Sequence, residues 1–262
     1  MQINTIIYII AFIFGAIMGS FLNVVIFRLK INKEGRSSLN LSGRSKCPLC
    51  KKILTPAELI PIVSFFILGG KCKNCHKNIS YQYPIVEFLS GVLTILPLYF
   101  FGFLNLESYL LILIFYFFIL IFFYDLNNFL IADTPLIPLF LLILIFDIIK
   151  LARGEENILN LILGALIGGG LFLILVLVSK EKWMGWGDVK LGFLLGFLLG
   201  YPVIIVSHMI AFISGAIVSL ILIILTKRKL KSEIPFAPFL ILGALIAVFF
   251  GEKIINWYLK GL

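Results

Sequence analysis

Trp183-Met184-Gly185-Trp186-Gly187-Asp188-Val189-Lys190 is the stretch on which the fold turns. A Gly-x-Gly turn delivers one aspartate to the start of a long apolar run. A charge in lipid-like surroundings is costly, and proteins keep it where it has a partner or a task. Upstream, a second aspartate, Asp125, closes another apolar run, Tyr109 to Tyr124.

Composition agrees with a nonpolar phase around both acids. Hydrophobic residues fill 61% of the 262 positions and charged residues only 13%, which is far from the mix of a soluble domain. Several runs reach about 20 apolar residues, the length that crosses roughly 30 Å of hydrocarbon as a helix. A transmembrane β-barrel would instead show short alternating segments. The chain therefore reads as an all-α polytopic membrane protein with about eight transmembrane helices, near residues 6–27, 84–102, 107–124, 131–149, 157–179, 188–200, 203–226 and 236–256. The least regular division falls at Gly200-Tyr201-Pro202, where a turn is expected to split one long run. The first run is too long for a signal-peptide core and lacks a basic flank, so it is expected to be a retained span.

The net charge of +9 raises nucleic acid or anionic lipid as partners. In a polytopic chain, a Lys and Arg excess reflects orientation instead. With eight spans, 18 of the 22 basic residues fall on one side, including 11 in residues 28–83. The other side holds Lys150, Arg153, Lys253 and Lys260. The basic side is expected to be cytosolic, with both termini outside, membrane lipid as surroundings and no nucleic-acid partner. Three parts follow: a first transmembrane helix (1–27), a cytosolic basic four-cysteine domain (28–83) and a seven-helix membrane domain (84–262).

All four cysteines lie in the cytosolic part, as Cys47-Pro48-Leu49-Cys50 and Cys72-Lys73-Asn74-Cys75. Two C-x-x-C knuckles at this separation match a four-thiolate zinc site, each tight turn supplying two ligands. Two disulfides or a redox pair form the competing reading, and a cytosolic placement argues against stable disulfides. Four thiolates leave no open position for water, so the zinc would be structural. His76 could replace a ligand, but four thiolates already suffice. Between the knuckles, Ala57–Gly70 is apolar, too short to cross, and expected to lie at the interface or dock on the bundle.

The same topology brings Asp125, ending the third span, and Asp188, beginning the sixth, to one membrane face. Two carboxylates at such a boundary suit aspartic-protease chemistry, one taking a proton from water while the other donates to the scissile carbonyl. Helix polarity favours ionised Asp188 at a helix start and the resting proton on Asp125 at a helix end. Gly185 and Gly187 shape the turn, and Lys190 is a candidate for orienting a carboxylate or a peptide backbone. Plainer readings stand beside this one: Asp188 as a helix N-cap, and Asp125-Leu126-Asn127-Asn128 as a polar helix exit. An ion-coupled transporter is the alternative of another class. Asp133 reads as a cap for the fourth span, Asp147 lies near the opposite face, Glu87 is a buried structural or binding acid, and His208 is a core residue.

At these residues the chain closely resembles the bacterial type IV prepilin peptidases, membrane aspartic proteases of the Gly-x-Gly-Asp kind. The resemblance runs through Gly19-Ser20-Phe21-Leu22-Asn23-Val24, both cysteine knuckles, Pro61-Ile62-Val63-Ser64 and Tyr83-Pro84-Ile85-Val86-Glu87. It continues with Asp125 followed by Asp133, Met184 to Lys190, and Ile234-Pro235-Phe236-Ala237-Pro238. It implies an enzyme of the bacterial plasma membrane that removes a short basic leader from type IV prepilins or pseudopilins on the cytosolic side. Asp125 and Asp188 match the catalytic pair. It also implies N-methylation of the new terminal residue with S-adenosylmethionine, for which Gly70 and Lys71 match a position tied to methyl transfer. A peptidase without the methyltransferase activity is the alternative within the family. Ala132 and Ala237 stand where proline and glycine are common.

Overall fold

The computed structural model describes residues 2–31, 37–226 and 234–260. Helix dominates, as it must where no water is present to satisfy backbone N–H and C=O groups. The order is α1 (Gln2–Arg28), β1 (Leu29–Ile31), β2 (Ser37–Leu39), a 3-10 turn (Pro56–Leu59) and α2 (Val63–Ile67). There follow α3 (Gln82–Phe101), α4 (Leu106–Asn128), α5 (Asp133–Ala152), α6 (Ile158–Ser179), α7 (Trp186–Leu199), α8 (Val203–Thr226) and α9 (Ala237–Lys260). Among the described residues, seven of these helices are long and apolar enough to cross a membrane: α1, α3, α4, α5, α6, α8 and α9. The expected eighth is α7, whose 14 residues extend only about 21 Å.

The chain divides into two compact units, residues 1–120 and 121–262, with the division inside α4. In the first, α1 and α3 touch backbone to backbone. A Cβ on Gly19 would come within 2.7 Å of the Glu87 Cα, and one on Gly15 within 2.8 Å of the Gly91 Cα. Small residues permit this approach. The Thr94 hydroxyl donates to the Ser90 carbonyl and also meets the Tyr116 hydroxyl, each at 2.7 Å. Asn23 Nδ2 donates to the Tyr83 carbonyl at 3.2 Å and to that of Gly19 at 3.3 Å.

Beyond α1 the first unit leaves the all-helical pattern. β1 and β2 form a short antiparallel ladder, Leu29 opposite Leu39, that no alternation in the sequence announced. Arg28 fixes the chain after it, donating to the carbonyls of Leu41, Ser42, Gly43 and Arg44 at 2.8 to 3.3 Å. The apolar stretch 57–70 divides into the 3-10 turn and α2. Phe66 and Ile67 are 72% and 78% exposed.

In the second unit, α6 and α7 interlock through four glycines. Gly164 and Gly168 on α6 face Gly196 and Gly192 on α7, and a Cβ on Gly196 would sit 2.6 Å from the Ala165 Cα. The i, i+4 spacing puts each pair on one helix face. The expected break after α7 is present: Gly200 has φ +64, and the Tyr201 N–H donates to the Asn160 carbonyl at 2.9 Å. His208 is buried in α8, where its Nε2–H donates to the Gly168 carbonyl at 3.1 Å and its ring lies 4.9 Å from that of Phe172. Asp147 is buried within α5. The basic run Lys227–Lys231 lies outside the described residues.

Candidate active site and cysteine module

Asp188 sits in the first turn of α7, whose N-cap is Gly185. The loop before it is closed by local bonds. Trp186 Nε1–H donates to Glu181 at 2.7 Å, and Lys180 and Glu181 turn the chain with positive φ after α6. The two glycines differ in what they do. Gly187 packs against the loop between α4 and α5, where a Cβ would lie 2.7 Å from the Ile131 Cβ. Gly185 has an ordinary φ of −94 and open space around it, and its backbone N–H reaches the Asp188 carboxylate. The turn is thus tight at Gly187 and donating at Gly185, rather than merely flexible.

α4 continues past the expected end of its span to Asn128, so Asp125 lies in a helical last turn instead of a loop. The helix stops at Phe129, which takes φ 55 and donates its N–H to the Asp125 carbonyl at 2.8 Å. Asp125 is 4% exposed, and Asp188 is close enough to act on it electrostatically. The Asp125 carboxylate also accepts the backbone N–H of Ala237, the first residue of α9. With the positive start of α9 facing Asp125, helix polarity no longer separates the two acids. The Ala237 contact was not read from the sequence, because a backbone donor carries no side-chain signature.

Lys190 does not point to either acid. Its Nζ pairs with Asp133 Oδ1 at 2.6 Å, with both side chains about half exposed. Asp133 therefore does not cap α5. Ala132 occupies the N-cap, and Asp133 begins the helix while holding Lys190.

The cysteine module lies wholly in the first unit. The four Sγ atoms lie within 4.8 Å of one another, with Cys47–Cys75 at 3.9 Å and Cys50–Cys72 at 4.0 Å, and all four are free thiols. Four thiolates around one tetrahedral zinc, each about 2.3 Å from it, stand about 3.8 Å apart, so the donors fit. The two knuckles repeat one backbone design. The Lys51 and His76 N–H groups donate back to the Cys47 and Cys72 carbonyls, and both residues take positive φ, near 59 and 54. His76 thus shapes its turn. The Lys52 N–H holds the Cys50 thiol down at about 6, and the Cys75 and Asn74 N–H groups lower that of Cys72. Gly70, with φ +66, backs the Phe65 ring: a Cβ there would lie 3.1 Å from it. Lys71 is exposed and bridges to Asn78.

Glu87 is buried near the start of α3, where it accepts the Ile62 N–H at 2.6 Å, with Ser20 as a side-chain partner. A cavity of about 1250 Å³ opens beside it, between the cysteine module and the adjoining parts of α1 and α3.

Comparison with known proteins accounts for most of the chain. A family model described as the bacterial peptidase A24 N-terminal domain matches residues 13–101, and one described as the type IV leader peptidase family matches residues 112–220. Among curated relatives, a prepilin leader peptidase/N-methyltransferase of Legionella pneumophila is 31% identical over 96% of this chain and 94% of its own. Proteins of the same description from Bacillus subtilis and Pseudomonas aeruginosa are each 31% identical, covering 96% and 94% of this chain and 97% and 91% of their own. No solved structure matches.

Proposed function

From the chain's membership of the type IV leader peptidase family, we propose that it removes the basic leader of type IV prepilins or pseudopilins at the cytosolic membrane face and then N-methylates the new terminus. The observation that carries the peptidase reading is the meeting of Asp125 and Asp188 in one unit, each met by a backbone N–H. One carboxylate takes a proton from a water molecule as its oxygen attacks the scissile carbonyl. The other, protonated, donates to the carbonyl oxygen. Collapse of the tetrahedral adduct breaks the C–N bond, with a proton passing to the leaving amine. Neighbouring like charges oppose one another, so the mechanism runs from the state in which one of the two carboxylates is protonated.

The location of the acids at the ends of α4 and α7 suits a substrate cut where its apolar helix leaves the membrane. The bias of basic residues supports a cytosolic site, with residues 28–83 on the same side and both termini outside.

Cys47, Cys50, Cys72 and Cys75 would hold a structural Zn2+. S-adenosylmethionine, when bound, would supply the methyl group. Incubating the purified protein with a prepilin and labelled S-adenosylmethionine tests both activities together. Leader loss with label transfer supports the full reading. Leader loss without label restricts it to a peptidase. Full cleavage by Asp125→Ala or Asp188→Ala overturns the catalytic assignment.

A further inference from the structure

The cavity in the first unit has the properties of a built site. Its polar floor is buried: Asn23 is 1% exposed and Glu87 7%, and both line it. Asn23 Nδ2 is held by two backbone carbonyls, but its Oδ1 has no partner. A buried acceptor without a donor is rare in a native fold and marks a place where a ligand donor belongs. Phe27 and Tyr83, stacked 5.2 Å apart, provide an aromatic wall. The rim carries the exposed cations Lys30, Lys46, Lys73 and Lys77.

These groups describe a ligand. A buried carboxylate suits a cation, an orphan acceptor suits an amino group, a flat aromatic face suits a nucleobase, and surrounding lysines suit a carboxylate. A nucleoside sulfonium carrying an amino acid offers all four. The volume of about 1250 Å³ exceeds the roughly 300–1,000 Å³ of a single small-molecule site, leaving room for the end of a peptide.

We propose that this cavity is the methyl-transfer site, binding S-adenosylmethionine with Asn23 Oδ1 accepting a hydrogen bond from it and Glu87 taking a proton from the incoming α-ammonium. This rests on the methyltransferase reading above. The proton passes from the α-ammonium to the Glu87 carboxylate, freeing the nitrogen lone pair. That pair forms the N–C bond to the methyl carbon as the C–S bond breaks. Its electrons remain on sulfur, which becomes a neutral thioether, and the nitrogen, neutral after losing its proton, takes up the positive charge that sulfur gave up. Gly70 acts at one remove: it leaves space for the Phe65 ring, which lines the cavity.

The test uses the full-length protein in lipid nanodiscs, with folding of each variant checked by circular dichroism and thermal unfolding. Tritiated S-adenosylmethionine is cross-linked to the wild type by ultraviolet light, and the label is mapped. Label within residues 20–87 is expected, and label confined to residues 121–262 overturns the proposal whether or not any variant folds. In equilibrium dialysis, Asn23→Ala and Glu87→Gln, which removes the charge facing the sulfonium, each weaken binding roughly tenfold. With a peptide already free of its leader, Glu87→Gln lowers methyl transfer at least about a hundredfold. The residual rate then climbs roughly tenfold per pH unit toward pH ~8, because solution must deprotonate the amine. Wild-type transfer rates in Glu87→Gln overturn its role. Failure of the wild type to bind the cofactor at all overturns the methyltransferase reading, and this site with it.

Discussion

The backbone N–H of Ala237 donates to the Asp125 carboxylate, joining the start of α9 to the end of α4. This gives the stretch Ile234 to Pro238 a task that side chains alone do not reveal. A hydrogen bond to a charged group contributes about 1.5–3 kcal/mol. Ala237→Pro removes the donor at a first-turn position where proline is tolerated. It is expected to lower kcat/KM for leader cleavage roughly 10- to 150-fold, whereas Ala237→Gly, which keeps the N–H, is expected to stay within about fivefold. Equal rates for the two variants would remove the hydrogen bond from the mechanism.

The two glycines of the turn should separate in the same assay. Gly187→Ala drives a methyl group to 2.7 Å from the Ile131 Cβ, so the start of α7 must shift. Displacement by about 1 Å near a reacting centre can lower a rate about a hundredfold. Gly185→Ala meets open space with an ordinary φ and keeps its N–H, so its effect should be under about threefold. Ile131→Gly combined with Gly187→Ala should restore much of the loss.

Interlocked glycines set the position of α7 from the other side. A Cβ at Gly192 would press on the Phe172 ring at 2.6 Å, whereas at Gly170 it would meet nothing within 4 Å. Gly192→Ala is expected to destabilise by about 1–3 kcal/mol, the range for overpacking, and to lower the thermal midpoint and the cleavage rate together. Gly170→Ala should leave both unchanged, or raise the midpoint slightly through helix propensity.

Spans were legible because lipid imposes length and polarity on helices, and α3 to α9 begin and end within a few residues of where hydropathy and turn residues put them. The cysteine cluster was legible because ligand spacing is local. What escaped the sequence was made of backbone. The β1–β2 ladder has three residues a side, too few to establish a period of two. The Ala237 donor has no side-chain signal, and the close approach at Gly187 depends on Ile131 in a distant loop. Lys190 and Asp133 were each recognised, but their pairing across 57 residues follows from the packing of α5 on α7.

That pairing illustrates how exposure limits an interaction. The Lys190–Asp133 distance is 2.6 Å, yet the side chains are 50% and 54% exposed. Exposed ion pairs contribute about 0–1 kcal/mol because water screens them. Lys190→Ala and Asp133→Ala should therefore each lower cleavage by less than about fivefold, and the double variant should equal the weaker single. A loss of about a hundredfold on Lys190→Ala alone, with Asp133→Ala neutral, would instead mean that Lys190 meets the substrate directly.

Metal content gives the last prediction. Thiolates bind zinc and thiols do not, so protons compete with the metal, and acid releases it. The protein is expected to hold one zinc per chain at about pH 7.5 and to lose it on dialysis near pH 4.5, as read by atomic emission. Cys50→Ser and Cys72→Ser should each lower the zinc content, while Asp188→Ala, in the other unit, should leave it unchanged. Cys47 and Cys72 line the cavity beside Glu87, whereas both aspartates lie in the second unit. Loss of zinc should therefore reduce methyl transfer more than leader cleavage. Equal loss of both on Cys72→Ser would mean that the module supports the whole enzyme, and full methyl transfer by a zinc-free protein would remove it from that reaction.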